Sequence, residues 1–209
     1  MDGIKICNMA LSMLGLPGIT SFYDNSNHAR QCNTFFPALR DQLLRDHHWS
    51  FATNSAELAQ LAETPFDSNY SYVCALPPDL ILILSLDDPD AEYRPAGKKI
   101  LVNHLPAKVI YIRRVEDSED FDELFADALR YRLAAELCMA NTRDAQMIQY
   151  YQHEYEKRLA TAKAVDSQEN IQSFQPGAAQ SNFIAARSGR VGRSARYGIK
   201  AVAGTHGVQ

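Results

Sequence analysis

Two adjacent histidines beside the chain's only tryptophan, in "LLRDHHWSFAT" (Leu43 to Thr53), are residues whose types could do chemistry. Imidazoles bind divalent metals and move protons, so this cluster invites a metal-site or active-site reading. The spacing argues against it. Neighbouring residues on a helix point about 100° apart, so His47 and His48 do not face one ion. His28, His104, His153 and His206 add no pair at helical ligand spacing. The patterns HExxH, GxSxG, GxGxxG and GxxxxGK followed by Ser or Thr are all missing. Cys7, Cys32, Cys74 and Cys138 form no CxxC pair and sit among apolar residues, so they read as small buried hydrophobes in a reducing compartment. The acidic run EDSEDFDE, Glu116 to Glu123, could supply paired carboxylates. Acids at the start of a helix are expected from capping and the macrodipole. The residues therefore assign no catalytic group, no metal ligand and no cofactor site, and the expectation is a protein that is not an enzyme.

A different chemistry is written near the end, in "FIAARSGRVGRSARYGIK". Arg187, Arg190, Arg193 and Arg196 recur every third residue among small residues, bracketed by Phe183 and Tyr197. Such a segment could bind nucleic acid through phosphates and aromatic stacking. It could dock on an acidic protein partner and order as it binds. It could also be only a solubilising end. Charge is placed to match: residues 1–166 carry 16 Lys and Arg against 24 Asp and Glu, while 167–209 carry five against one. A folded acidic body followed by a basic tail is the reading. Leu, Ile, Val and Phe supply only eight of the last 43 residues, too few to bury a core. The boundaries are a body over 1–166 and an extended arm over 167–209.

The elements that must position these groups follow from periodicity. A chain of 209 residues fits one domain or one domain with an appendage. No apolar run approaches the ~18 residues of a membrane helix, and the start shows no secretory signal. A first helix over 2–14, capped by Asp2, carries Ile4, Cys7, Ala10, Leu11 and Leu14 at helical spacing, and Gly15 with Pro17-Gly18 stops it. A second, over 26–47, carries Ala29, Cys32, Phe36, Leu39 and Leu43, with Pro37 expected to kink or divide it. Trp49 and Phe51 are expected to bury their rings where the chain leaves that helix. Residues 54–64 suggest a short helix or turn. Four antiparallel strands follow within 70–114. A third helix over 120–140 opens with Asp120-x-x-Glu123, like a capping box. A fourth, over 144–165, carries Met147, Tyr151, Tyr155 and Leu159 as a stripe for packing on the third. The fold class is α+β, mainly α: a bundle of about four helices with a small antiparallel β-region between the second and third.

Several blocks, taken in order, resemble the head-to-tail adaptor family of short-tailed bacteriophages, also called tail tubular protein A or head completion connector. They are "ICNMALSMLGLPGITSF", "FFPALRDQLLRDHHWSFA", "YSYVCALPPDL", "FDELFADALRYRLAAELC" and "YEKRLATAKAVDSQE", together spanning about Ile4 to Glu169. One position departs: His48 stands where the family often has proline before the tryptophan. The resemblance implies a homo-oligomeric ring of twelve subunits in the virion. That ring would sit between the portal protein and the tail nozzle protein and line the channel through which genomic DNA passes without sequence-specific binding. It implies assembly in the host cytoplasm and no membrane. The arm, with Phe183, Arg187, Arg190, Arg193, Arg196 and Tyr197, would dock on the portal. Two alternatives stand beside it: a nucleic-acid-binding module using the same arginines, and a tail-associated cell-wall hydrolase, for which no acid/base or nucleophile constellation is visible.

Overall fold

A computed structural model of the chain describes residues 3–88 and 90–173. It is α+β and mainly α, as the periodicity predicts, with four long helices and two small antiparallel sheets among the described residues. None of these helices is long and apolar enough to cross a membrane.

Helix α1 (Gly3–Met13) buries Ile6, Cys7, Ala10 and Leu11. Its end is built by Gly15 at φ +67°, a conformation that favours glycine, with Leu16 N–H donating back to Leu11 O at 3.0 Å. Asn8 then pins the following loop, donating to Ile19 O and accepting from Ile19 N–H at 2.8 and 2.7 Å. The proposed cap, Asp2, lies outside the described residues.

Helix α2 (Asn27–Arg45) starts on Ser26, whose hydroxyl accepts Ala29 N–H at 3.1 Å. The predicted stripe of Ala29, Cys32, Phe36, Leu39 and Leu43 is buried. Pro37 does not divide the helix, which runs unbroken past it. The helix ends at Arg45 rather than at His47, with Asp46 as its last cap. A single 3₁₀ turn (Ser50–Ala52) leads into the strands.

The strand region begins earlier than the predicted 70 and contains seven strands among the described residues, not four. Residues 54–64 are not helical: they form β1 (Thr53–Glu57) and β2 (Ala59–Gln60). β3 (Tyr72–Ala75), β4 (Leu80–Leu86), β5 (Tyr93–Ala96), β6 (Lys99–Val102) and β7 (Lys108–Arg113) complete the set. One sheet has the order β1-β7-β4, the other β2-β3-β6-β5, and all pairings are antiparallel. β1 escapes the sequence reading because Thr-Asn-Ser-Ala-Glu shows no apolar alternation. It is a strand because Thr53 to Glu57 pair residue by residue with Ile112 to Lys108. β5 carries Pro95, which an edge strand tolerates.

The first sheet is sandwiched. Along β7, Val109 and Tyr111 face the core shared with the second sheet, while Ile112 belongs to the helical core. β4 likewise gives Leu80 and Ile83 to the sheet core and Ile81, Leu82 and Leu84 to the helical one. Burial on both faces explains its continuous "LILILSL". Register shifts between Leu80 and Leu82, and between Ile83 and Ser85, break strict alternation. Arg45 donates to Ile81 O at 2.8 Å, and Arg114 Nε pairs with Asp41 at 2.8 Å, so α2 grips this sheet at two points.

Helix α3 (Glu123–Asn141) buries Phe125, Ala126, Ala128, Leu129, Leu133, Ala134, Ala135, Leu137 and Cys138, a wide arc that α1, α2 and the fourth helix cover. Its cap is Asp122, accepting Leu124 and Phe125 N–H at 2.9 and 3.1 Å. The expected Asp120–Glu123 box is therefore wrong by two residues; Asp120 instead pairs with Arg113 at 3.1 Å. Arg143 at φ +55° turns the chain into α4 (Ala145–Ser173), which runs beyond the predicted end at 165. The described residues up to Ile171 form one compact unit.

Candidate functional site

α4 is the last described element before the basic tail, and it is held firmly to the rest of the folded body. The hold is built from three contacts. Near its start, Tyr151 is buried and donates its hydroxyl to Met13 O at 2.7 Å, tying α4 to the end of α1. Burial pushes the Tyr151 phenol above its usual range. Met147, Tyr155 and Leu159 pack on the same core, as the stripe predicts.

In the middle, Arg158 reaches back to α3. It pairs with Glu154 one turn before it, places Nε 2.7 Å from Asp127, donates to Tyr131 Oη at 3.0 Å and lies over the Tyr131 ring at 3.8 Å. Asp127 also pairs with Arg130. A guanidinium suits this place because its planar fork meets two carboxylates and stacks at once. The hydrogen bond from Arg158 lowers the Glu154 carboxyl below the usual range.

Near its far end, Asp166 is the keystone. Its Oδ1 accepts Ser50 N–H at 2.9 Å and its Oδ2 lies 3.0 Å from His47 Nε2. One turn earlier, Lys163 pairs with Asp46 at 2.7 Å. The stretch after α2 thus presents one backbone donor, one imidazole and one carboxylate to α4.

Beneath these polar contacts lies an aromatic cluster. Trp49 is fully buried, and its indole N–H donates to Leu43 O at 2.9 Å, occupying a carbonyl at the open end of α2. Its ring meets His47 edge-on at 4.8 Å and Phe125 at 5.1 Å. Phe51 meets Phe125 at 5.0 Å, and Phe121 closes the group. Trp49 and Phe51 are the expected anchors; half-buried Pro37 lies mid-helix on α2.

The two adjacent histidines lie past the end of α2 and divide there: His47 turns to Asp166 and Trp49, and His48 is exposed. Among the described residues no three His, Cys, Asp or Glu side chains gather as metal ligands. All four cysteines are free thiols and buried. The Cys7 thiol hydrogen-bonds Cys32 and lowers its pKa, while burial raises that of Cys74. The arm residues Phe183, Arg187, Arg190, Arg193, Arg196 and Tyr197 lie outside the described residues. Asp166, Lys163 and Arg158 carry the hold on α4, yet sequence periodicity marks only Arg158, through its i,i+4 spacing from Glu154. The partners of the other two are more than a hundred residues away.

No protein-family model matches the chain, and no curated protein matches it significantly.

Proposed function

We propose that this chain is a structural subunit of a short-tailed bacteriophage virion. Its copies form a ring between the portal and the tail nozzle and surround the channel for genomic DNA. The C-terminal arm, with Arg187, Arg190, Arg193 and Arg196, docks on the portal. The reading rests on the ordered resemblance from Ile4 to Glu169 and is supported by the arrangement of the body. An acidic, tightly tied bundle carries the strand region between α2 and α3, and α4 leads directly to the basic tail.

The mechanism is assembly rather than turnover. The body supplies a stiff wall element. The arm gives up conformational entropy on docking, and many arms acting on one portal offset that loss through effective concentration. An acidic wall suits a DNA conduit because like charge keeps passing phosphates from sticking.

Negative-stain images of the protein with and without its portal test this. Added ring density beneath the portal is the expected result. Portal particles unchanged by an excess of the protein would overturn it. The same arginines could instead bind nucleic acid, and a gel shift with duplex DNA at physiological salt separates the two, little retardation being expected here.

A further inference from the structure

The helical core holds a pair of nucleophiles that neither the hold on α4 nor the basic tail uses. Helices α1 and α2 bury small residues on their facing stripes: Gly3, Cys7 and Ala10 on α1, Ala29 and Cys32 on α2. Two contacts fix how these helices run. Gly3 lies so near the Phe36 ring that a Cβ there would sit 3.1 Å from Cε1 and Cζ. The Cys7 thiol hydrogen-bonds the Cys32 thiol. Four residues forward along α1 therefore match four residues back along α2, so the pair is antiparallel. Small side chains let packed helices approach closely, and here the close approach falls where both carry sulfur.

Both thiols are fully buried. Two alanines would fill such a crossing without reactivity, whereas two thiols in contact add one specific reaction. The hydrogen bond from Cys7 lowers the Cys32 pKa against the opposing effect of burial, which makes Cys32 the readier thiolate. The other two cysteines are placed differently. Cys74 packs in the sheet core, and Cys138 Sγ lies 3.1 Å from Thr142 Oγ1 at the end of α3.

We propose that Cys7 and Cys32 are a latent disulfide: peroxide joins them within one chain and clamps α1 to α2, so that the stability of the helical body depends on redox state. The Cys32 thiolate attacks hydrogen peroxide and becomes the sulfenic acid, and the hydroxide released takes up the thiol proton to leave as water. The Cys7 sulfur then displaces the hydroxyl from Cys32, the S–S bond forms, and the Cys7 proton leaves in a second water. Two electrons pass from the two sulfurs to the peroxide O–O bond. The sulfur atoms need only close from contact to ~2.05 Å. Because both are sealed from water, the rate is set by local opening of α1, a short helix of 11 residues. In a reducing cytoplasm the pair stays as thiols, and it closes on meeting an oxidant. For a virion subunit, as proposed above, that change comes with release from the cell, but the bond itself does not depend on that reading and needs no portal to test.

The test treats full-length protein with a slight excess of hydrogen peroxide at neutral pH without denaturant. An equal mixture of isotopically labelled and unlabelled protein is used, then blocked with iodoacetamide and digested without reduction. Trypsin cuts after Lys5, Arg30 and Arg40, so the two cysteines fall on separate peptides. Mass spectrometry should find these peptides joined, each pair wholly labelled or wholly unlabelled. The oxidised protein should unfold about 5–10 °C higher than the reduced one, and dithiothreitol should reverse the shift. Comparing oxidised with reduced forms of each variant, Cys32→Ala should abolish the shift, while Cys74→Ala with Cys138→Ala should keep it. Should Cys32→Ala fail to fold, the linkage in wild type decides alone. Free thiols surviving at Cys7 and Cys32 would overturn the proposal, as would oxidation that stops at sulfinic acid. So would a bond that forms only between chains or only in urea, or an oxidised form no more stable than the reduced one.

Discussion

Replacing Asp166 tests the hold on α4 most sharply, because Asn and Ala remove different things. Asp166→Asn keeps an oxygen for Ser50 N–H and a nitrogen that can meet the imidazole, so it removes charge and little geometry. Asp166→Ala removes both partners. The side chains of Asp166 and His47 are 11% and 20% exposed, so the pair is largely out of water. A hydrogen bond to a charged acceptor contributes about 1.5–3 kcal/mol, and the stranded Ser50 N–H adds a desolvation penalty. Because water still reaches part of the site, the expected total for Asp166→Ala is about 2 kcal/mol, and for Asp166→Asn under about 1 kcal/mol. In a body of this size that is roughly 4–8 °C and under about 4 °C in Tm. Urea and thermal unfolding followed by circular dichroism give the totals. Hydrogen exchange gives the location: the last turns of α4 should lose protection in Asp166→Ala while α1 keeps it. Equal stability and equal protection in wild type and Asp166→Ala would refute the keystone role.

Further outcomes follow from the same contacts. Trp49→Phe should cost about 1–2 kcal/mol, since Leu43 O still accepts Asp46 N–H, whereas Trp49→Ala should cost about 3–5 kcal/mol; urea midpoints that do not separate the two would contradict the packing argument. Backbone N–H groups, first those of Ser21 and Asn69, lower the Asp24 and Asp67 carboxyls, and Arg158 lowers Glu154. Each folded pKa lies below its unfolded value. The stabilisation is therefore complete above the ordinary carboxylate range, near pH 4, and is lost as pH falls through the lowered folded values. Asp24→Asn should flatten that acid limb in a stability-versus-pH series, and an unchanged limb would count against it. Arg158→Met should release the middle of α4 from Tyr131 and Asp127, leave the Glu154 carboxylate unpaired and leave Asp127 with Arg130 alone. The expected loss is about 1–2 kcal/mol of stability by denaturant unfolding, and no loss would show the network to be passive.

How much of this was legible depends on where each signal lives. The helices were visible because α1, α2 and the α4 stripe repeat their apolar residues with the helical period, and that period survives in any tertiary setting. β4 was visible as a continuous apolar run, though the reason for the run, burial between two cores, was not. β1 was invisible because Thr53 to Glu57 have no pattern of their own and are strand only through β7. The α3 cap was misplaced because Asp120, Asp122 and Glu123 all suit a helix start, whereas Asp120 closes a separate 3₁₀ turn (Ser118–Asp120) before Asp122 caps the helix. Trp49 and Phe51 were legible as anchors from ring size alone. Asp166 was not, since one aspartate late in a helix carries no mark of the histidine and backbone amide it meets more than a hundred residues earlier. His47, which the spacing already argued against as a metal ligand, is half of that pair.

Removing residues 174–209 tests the central claim most directly. The deletion starts just after the last described residue of α4, Ser173, and leaves its contacts through Asp166 in place. The shortened protein should keep the unfolding midpoint of the full chain but lose most of its capture by assembled portal in a pull-down. Capture at full strength by the shortened, folded protein would contradict the account.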